Sequence, residues 1–291
     1  MMCRTISRRL HQFVMVLATL AMVAGLSSPL LAAVVADFSS SNGVAATGTT
    51  VDSWTDSVGS LVAAPYQGSG RPTLEANVFA GGQSGVLFDG SDDWLAFDDS
   101  TLPTGDYTVA LAWKPANFGS AASRPTMLSW GNDQNNQMKQ IAFAHRPSFH
   151  NPANGIIQRF NGSDANSSIP AAGGVNGTNY IGIFARNAAT NDYYFTISDG
   201  TTTESETVNN SSSNLERERG RLGSFTDGGG DFSEAIFGGH LGRVIIQDSL
   251  LDEAGRSALL SSLNSYVVPD PSSLSLIVLA VVACLGWVRG R

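Results

Sequence analysis

Apolar and polar residues alternate with a period of two over much of the middle of the chain. In the clearest segment, Tyr107, Val109, Leu111 and Trp113 all fall on one face. Because successive side chains of a β-strand point to opposite faces, this alternation predicts a strand. Asn191–Ser198 shows the same pattern. Other predicted strands are Val86–Asp89, Trp94–Phe97, Thr126–Trp130, Gln140–Ala144, Ile156–Phe160, Tyr180–Arg186 and Gly242–Gln247.

Clusters of turn-forming residues separate these strands, as at Asp89–Asp92, Asp199–Gly200 and Asp227–Gly230. Many short strands joined by such turns are typical of an antiparallel sandwich or jelly roll. Residues 200–221 are polar and weakly patterned, which predicts an exposed hairpin or loop.

One segment near the end of the middle region, Asp252–Ser265, has the pattern of a helix. Asp252 is a suitable N-cap, because its carboxylate can accept a hydrogen bond from the first turn. An apolar stripe at helical spacing is formed by Leu259, Leu260, Leu263 and Tyr266.

The N-terminal segment has the composition of a secretory signal peptide. Arg4, Arg8 and Arg9 precede the apolar stretch Phe13–Leu31, and small residues follow it. We expect cleavage after Ala33, which makes residues 1–33 the signal peptide. A retained membrane anchor is the alternative interpretation.

The C-terminal segment contains fifteen mostly apolar residues, Leu274–Val288. A helix of that length spans roughly 22 Å, less than the ~30 Å hydrocarbon core of a bilayer, so it indicates a marginal or temporary membrane span. Pro269 and Pro271 keep the preceding chain extended, and Arg289 and Arg291 would stay on the cytoplasmic side.

The string Val268-Pro269-Asp270-Pro271, followed by the apolar segment, Arg289 and Arg291, resembles the PEP-CTERM sorting signal. This resemblance covers residues 267–291 and departs from the family in carrying Asp270 where glutamate is usual. It implies export by a Gram-negative bacterium that makes exopolysaccharide, transient inner-membrane anchoring, and removal of the tail by an exosortase-type enzyme. The mature protein would lie in the cell envelope or extracellular matrix. An ordinary C-terminal anchor is the alternative.

Residues 34–266 resemble a LamG-type domain of the concanavalin A-like superfamily. The matching stretches are Trp54–Ser57, Arg71–Leu74, Gly85–Gly90, Tyr107–Trp113 and Gly242–Asp248 with the helix that follows. The resemblance implies an all-β antiparallel jelly-roll sandwich with one short helix near its C-terminal end. It also implies binding of carbohydrate or protein, often with calcium, although some members of the superfamily are glycosidases.

The charge distribution argues against a nucleic-acid partner. All 25 acidic residues lie between Asp37 and Asp270, whereas five of the 17 basic residues lie in the two end segments. A middle region this acidic repels phosphate backbones. The two cysteines, Cys3 and Cys284, are also confined to the ends, so we expect neither a disulfide nor a thiolate metal site in the folded domain.

An acidic cluster, formed by Asp89, Asp92 and Asp93, is the candidate metal site. Carboxylate oxygens suit calcium, and the segment begins like an EF-hand loop. It then departs from that motif, because Trp94 and Ser100 occupy the positions of the glycine and of the final glutamate. A simple acidic turn between strands is therefore the favoured interpretation, and a calcium site completed by backbone carbonyls is the alternative.

Aromatic side chains are the candidate sugar contacts, since they stack on sugar rings. Trp94, beside the acidic turn, and the pair Tyr193 and Tyr194 are the surface candidates, and one tyrosine of the pair must point outward from a half-buried strand. The tryptophans in other strand patterns are expected in the core: Trp54, Trp113 and Trp130.

No catalytic residues are predicted. The paired carboxylates of the superfamily's glucanases, E-x-D-x-x-E on one strand, are missing from the sequence, and Glu216 and Glu218 lie in a polar segment rich in arginine. We therefore expect a non-enzymatic binding or structural protein of the cell surface or exopolysaccharide matrix. The alternatives are a polysaccharide-cleaving glycosidase or lyase with an unrecognised site, and a matrix component without a defined ligand.

Overall fold

The computed structural model describes residues 32–66, 70–116, 125–132, 139–145, 156–160, 163–166, 175–210, 219–224 and 236–269. The chain divides into two compact units between Ala32 and Ala33, and every described strand belongs to the second unit. Most of the predicted signal peptide (1–31) and of the sorting signal (270–291, with Asp270, Pro271, Arg289 and Arg291) lies outside the described residues.

Within the described residues, the second unit consists of β-strands with one short α-helix. The strands are β1 (Val34–Ser39), β2 (Val44–Thr47), β3 (Thr50–Thr55), β4 (Val62–Pro65), β5 (Thr73–Glu75), β6 (Gly85–Asp89), β7 (Leu95–Phe97), β8 (Tyr107–Pro115), β9 (Thr126–Asn132), β10 (Lys139–His145), β11 (Ile156–Phe160), β12 (Ser163–Asn166), β13 (Tyr180–Asn187), β14 (Asp192–Ser198), β15 (Thr203–Asn209), β16 (Arg219–Leu222) and β17 (Gly238–Gln247). Every strand predicted from the alternation is present.

The strands form two antiparallel sheets. In the first sheet, β15, β14, β13, β8 and β17 are neighbours in that order, and the far edge of β17 pairs with β6 and then with β1. Strands β5, β3 and β2 continue this sheet beyond β6. The second sheet has the order β12, β11, β10, β9, β16, β7, β4. Strand β4 also pairs with β3 and so connects the two sheets.

Aromatic side chains from both sheets pack against one another and form the core of a sandwich. The ring of Tyr107 on β8 lies 5.7 Å from that of Trp130 on β9, and the rings of Phe143 on β10 and Phe184 on β13 are 5.4 Å apart. The tryptophans expected in the core, Trp54, Trp113 and Trp130, are all fully buried, which confirms that prediction.

The outer face of the first sheet is covered by α1 (Glu253–Ser262) and by a 3-10 turn (Asn264–Tyr266). Small and aliphatic side chains of the central strands make room for them, and Ala110 and Ile183 belong to the same buried cluster as Leu263 and Tyr266. As predicted, Asp252 caps α1, since its carboxylate accepts a hydrogen bond of 2.7 Å from the amide of Gly255. The described part of the second unit is therefore layered as sheet, sheet and helix.

The polar segment 200–221 differs in part from the prediction. Its first half forms the mostly exposed strand β15, which makes a hairpin with β14, as predicted. The second half, read as exposed, instead contains β16, which lies between β7 and β9 with Arg221 only 5% exposed. The reason is that β7 and β9 both pair with this segment, and Gly220 fits between them because the ring of Phe97 fills the space that a side chain would need.

Within the ranges that the structure describes, no helix combines the length and the apolar character needed to cross a bilayer. The apolar segment Leu274–Val288 lies beyond Pro269, the last described residue. Its membrane association therefore stays a prediction from the sequence.

Candidate functional site

A groove lies on the outer face of the first sheet, between its edge and helix α1. Strand β14 alternates: Tyr193, Phe195 and Ile197 point into the sandwich and are buried, whereas Tyr194 and Thr196 point outward. The volume of the groove is about 340 Å³. An open concave site of this size is within the range of small-ligand pockets.

Hydroxyl groups form the floor of the groove. In the antiparallel register Thr207 lies opposite Tyr194, and Ser205 lies opposite Thr196, so these side chains share the outward face. The hydroxyls of Thr196 and Ser205 are 3.0 Å apart and hydrogen-bonded. Because each hydroxyl can both donate and accept, the floor can bond to ligand hydroxyls in either sense.

Helix α1 supplies the wall of the groove. Glu253, Arg256, Ser257 and Leu260 are spaced at i, i+3, i+4 and i+7, so they lie on one face of the helix, and all four line the groove. On its other side the helix packs against the sheet through the half-buried Leu259, and its C-cap residue Leu263 is buried there. The wall therefore offers a carboxylate, a guanidinium, a hydroxyl and an aliphatic side chain to a ligand.

Arg256 is held in place at the bottom of this wall. Its Nη1 atom donates a hydrogen bond of 2.6 Å to the carbonyl of Leu251, and its guanidinium carbon lies 4.6 Å from the centre of the Tyr194 ring. A cation above an aromatic face is attracted by the quadrupole of the ring. The Arg256 side chain is thus ordered before any ligand arrives, which lowers the entropic cost of binding.

Of the three aromatic residues predicted to contact sugar, the structure brings only Tyr194 to this groove. Trp94 is 2% exposed, with Arg221 above its ring and Tyr66 beside it, so the expectation that it lies at the surface is wrong. Tyr193 is fully buried, because it shares the inward face of β14. The prediction that one tyrosine of the pair faces outward holds for Tyr194.

The predicted acidic cluster is a compact turn between β6 and β7. Carboxylate oxygens of Asp89, Asp92 and Asp93 lie within 4.8 Å of one another. Two of these carboxylates already accept hydrogen bonds from backbone amides. The Asp89 carboxylate accepts one of 2.7 Å from the amide of Ser91, and the Asp93 carboxylate accepts one of 3.0 Å from the amide of Asp89. Calcium ligands lie 2.3–2.6 Å from the ion, so oxygens at this separation fit within one coordination sphere.

Burial has the largest effect on the acidity of this cluster. It raises the pKa of the Asp93 carboxyl from 3.8 to about 6; the hydrogen bond from the Asp89 amide lowers the pKa, and the charges of Asp89 and Asp92 raise it. An acid with a raised pKa in the folded state costs stability when ionised, so this cost is present above pH 6 and disappears as the pH falls.

Replacing Asp93 with asparagine is therefore expected to stabilise the metal-free protein at pH 7.5. The amide keeps an oxygen that can accept the hydrogen bond from Asp89 but carries no charge, and we expect a gain of about 1–2 kcal/mol, or roughly 2–6 °C in Tm. Thermal unfolding in the presence of a chelator measures it. The gain should shrink as the pH falls through 6 and be absent near pH 4; an equal gain at pH 4 would contradict the assignment.

The sequence patterns did not identify most of the groove residues. Glu253, Arg256 and Ser257 lie on the polar side of a helix that is predicted from its N-cap and its apolar stripe. Thr203, Ser205 and Thr207 lie in the segment predicted to be an exposed hairpin or loop. The available signal was the spacing of the polar helix residues, which places them on one face.

The chain matches no protein-family model and no curated protein. It resembles several solved structures at low identity. The CBM40 domain of the Ruminococcus gnavus IT-sialidase, solved with α2,3-sialyllactose, is 15% identical with a TM-score of 0.45, covering 60% of this chain and 95% of that one. Domain 4 of AbnA, a GH43 extracellular arabinanase from Geobacillus stearothermophilus solved with arabinotriose, is 14% identical with a TM-score of 0.48, covering 79% and 98%.

A third similar structure belongs to a larger protein. The alignment to the NanB sialidase from Streptococcus pneumoniae has 14% identity and a TM-score of 0.43, and it covers 63% of this chain but only 28% of the sialidase chain.

Proposed function

We propose that this chain is an exported, non-enzymatic protein whose β-sandwich binds polysaccharide at the cell surface or in the exopolysaccharide matrix. The observation that carries the proposal is the groove between β14, β15 and α1, with its hydroxyl floor, Tyr194 and an ordered Arg256. Sugars present hydroxyl groups and apolar C–H faces together. The groove offers hydrogen-bond donors and acceptors beside an aromatic ring and the aliphatic side chain of Leu260.

Two glutamates line the groove, and a glycosidase is therefore the second candidate. Hydrolysis needs two carboxyl groups that flank one bond, about 5 Å or about 6.5–9.5 Å apart. Glu206 lies opposite Phe195 in the register, so its side chain points to the sandwich side of the sheet, whereas Glu253 projects from α1 on the outer side. This arrangement favours binding without cleavage.

A panel of bacterial exopolysaccharides and their oligosaccharides tests the proposal. The purified exported protein should bind at least one polysaccharide on the panel and release no reducing ends or unsaturated products from it. Release of products that is lost in Glu253→Gln would instead identify the glycosidase, and binding to no member of the panel would favour a matrix component without a glycan ligand.

Sorting by an exosortase-type membrane enzyme completes the proposed function. Its support is the sequence of the tail, together with the position of the first two motif residues: Val268 is 41% exposed and Pro269 is exposed, directly after the 3-10 turn. Because the motif begins at the exposed surface of the folded domain, a membrane-bound enzyme can reach it.

The tail is expected to be absent from the mature protein. Mass spectrometry of the protein from matrix material of its host should find a C-terminus before Arg289, because cleavage near the proline motif removes the apolar segment and the arginines. As a control, replacing both Pro269 and Pro271 with alanine should leave the full chain in the membrane fraction. A matrix-associated chain that is intact through Arg291 would contradict this expectation.

Calcium at the acidic turn is proposed as a structural ligand. Asp89, Asp92 and Asp93 would hold the ion, and neutralising three close carboxylates would stabilise the turn between β6 and β7. Calcium should raise the Tm of the wild-type protein and leave that of Asp93→Asn nearly unchanged. An equal rise in both proteins would show that the ion binds elsewhere.

A further inference from the structure

Ala33 is the residue at which the described chain joins the sandwich. Its backbone N–H donates a hydrogen bond of 3.1 Å to the Oδ1 atom of Asp248, and its carbonyl accepts one of 3.2 Å from the amide of Asp248. The division between the two units of the chain falls directly before it. Strand β1 begins at the next residue, Val34, which pairs with Gln247.

Asp248 begins the connection that leads from β17 to helix α1. The hydroxyl of Thr108 donates to the carbonyl of Ser249 at 2.9 Å and accepts from the amide of Leu251 at 3.0 Å. The carbonyl of Leu251 in turn accepts the hydrogen bond from Arg256 in the groove wall. The contact of Ala33 with Asp248 therefore braces the segment that positions Arg256.

We infer that the export leader is cut between Ala32 and Ala33, and that the new α-ammonium group of Ala33 forms an ion pair with the carboxylate of Asp248. This inference rests on the proposed export of the protein. In the cut, a signal-peptidase-type enzyme adds water across the Ala32–Ala33 peptide bond, which leaves a carboxylate on Ala32 and an amine on Ala33. Because an α-amino group has an ordinary pKa of about 7.7–8.0, the amine is protonated at neutral pH.

The alternative cut after Ala33, which the sequence predicts, would remove the residue that makes both hydrogen bonds to Asp248. The sequence does not separate the two positions, since each has alanine before the cut and leucine two residues further upstream. The structure separates them, because retaining Ala33 keeps both bonds and turns one into a charge-assisted bond of the stronger kind. Processing then places a positive charge directly at an acidic partner.

The direct test is the N-terminal residue of the exported protein, determined by mass spectrometry. The expected sequence begins Ala-Val-Val-Ala-Asp-Phe at Ala33. A protein that begins at Val34 or later is exported but overturns this inference, whereas a protein that retains Met1 in the cytoplasm overturns the proposed export as well.

A second test detects the ion pair in the protein that starts at Ala33. Asp248→Asn is expected to lower its Tm by about 1–3 °C, the size of a surface ion pair. Acetylating the α-amino group should cause a similar loss and should remove most of the effect of Asp248→Asn. The control is Asp106→Asn, since the exposed carboxylate of Asp106 also accepts a hydrogen bond from a backbone amide, that of Ala188. The change in Tm caused by Asp106→Asn should not depend on acetylation. An undiminished effect of Asp248→Asn after acetylation would overturn the ion pair.

Discussion

Replacing Arg256 with alanine is expected to weaken polysaccharide binding by about 10- to 100-fold. Ordered arginine side chains in concave sites commonly carry much of a binding free energy, and a 10-fold loss corresponds to about 1.4 kcal/mol. The substitution removes the guanidinium donors and also frees the ring of Tyr194 from its cation. Isothermal titration with the exopolysaccharide that binds best to the wild-type protein measures the change in Kd.

Two matched variants separate this effect from a general change of charge. Arg71→Ala removes an arginine that pairs with Asp52 at an exposed position, and it should leave Kd unchanged. Arg256→Lys keeps the charge without the planar fork of donors, so it should restore only part of the affinity. If Arg256→Ala binds as tightly as the wild type while Tm is unchanged, the groove is not the binding site.

Phe184→Ala is expected to cause the largest loss of stability, about 3–5 kcal/mol, because it leaves a cavity between the sheets. Phe184 is fully buried, and its ring lies 5.4 Å from Phe143 of the opposite sheet and 6.2 Å from Phe195 of the neighbouring strand. Denaturant unfolding of the variant and the wild type measures the difference in the free energy of unfolding.

Val58→Ala is the control for the core, since Val58 is 53% exposed. It should change the free energy of unfolding by no more than about 0.5 kcal/mol. A loss below about 1 kcal/mol for Phe184→Ala would show that the two sheets do not pack through this aromatic cluster.

The strands that could be predicted from the sequence are those whose own alternation of apolar and polar residues identifies them. In β14, Tyr193, Phe195 and Ile197 alternate with polar or outward residues, so the two-residue period identifies both the strand and its buried face. Helix α1 could be predicted equally well, because the cap at Asp252 and the apolar stripe from Leu259 to Tyr266 are local features of the sequence. Local periodicity was therefore enough for the fold class.

Strand β16 could not be predicted in this way. Its sequence, Arg-Gly-Arg-Leu, has one buried aliphatic side chain, and it is a strand because β7 and β9 pair with it on both sides. Trp94 was misjudged for a related reason: its burial depends on Arg221 and Tyr66, which are distant in sequence. A segment that is paired or buried only because of partners far away in sequence shows no hydrophobic periodicity of its own.

The groove could be predicted from the sequence only in part. Its floor and its wall are about fifty residues apart in sequence and are brought together only because α1 packs across the outer face of the first sheet. The outward face of Tyr194 could be predicted from alternation, but the meeting of Tyr194 with Arg256 could not. The candidate site therefore follows from the tertiary structure rather than from a motif.

Hydrogen–deuterium exchange of the exported protein, measured with and without the exopolysaccharide that it binds, tests polysaccharide binding in the groove most directly. We expect slower exchange in the bound protein at residues 192–209, on β14 and β15, and at 253–262, on α1. Exchange at 219–222, on the second sheet, should be unchanged. Protection at 219–222 without any change in β15 and α1 would show that the polysaccharide does not bind in the groove.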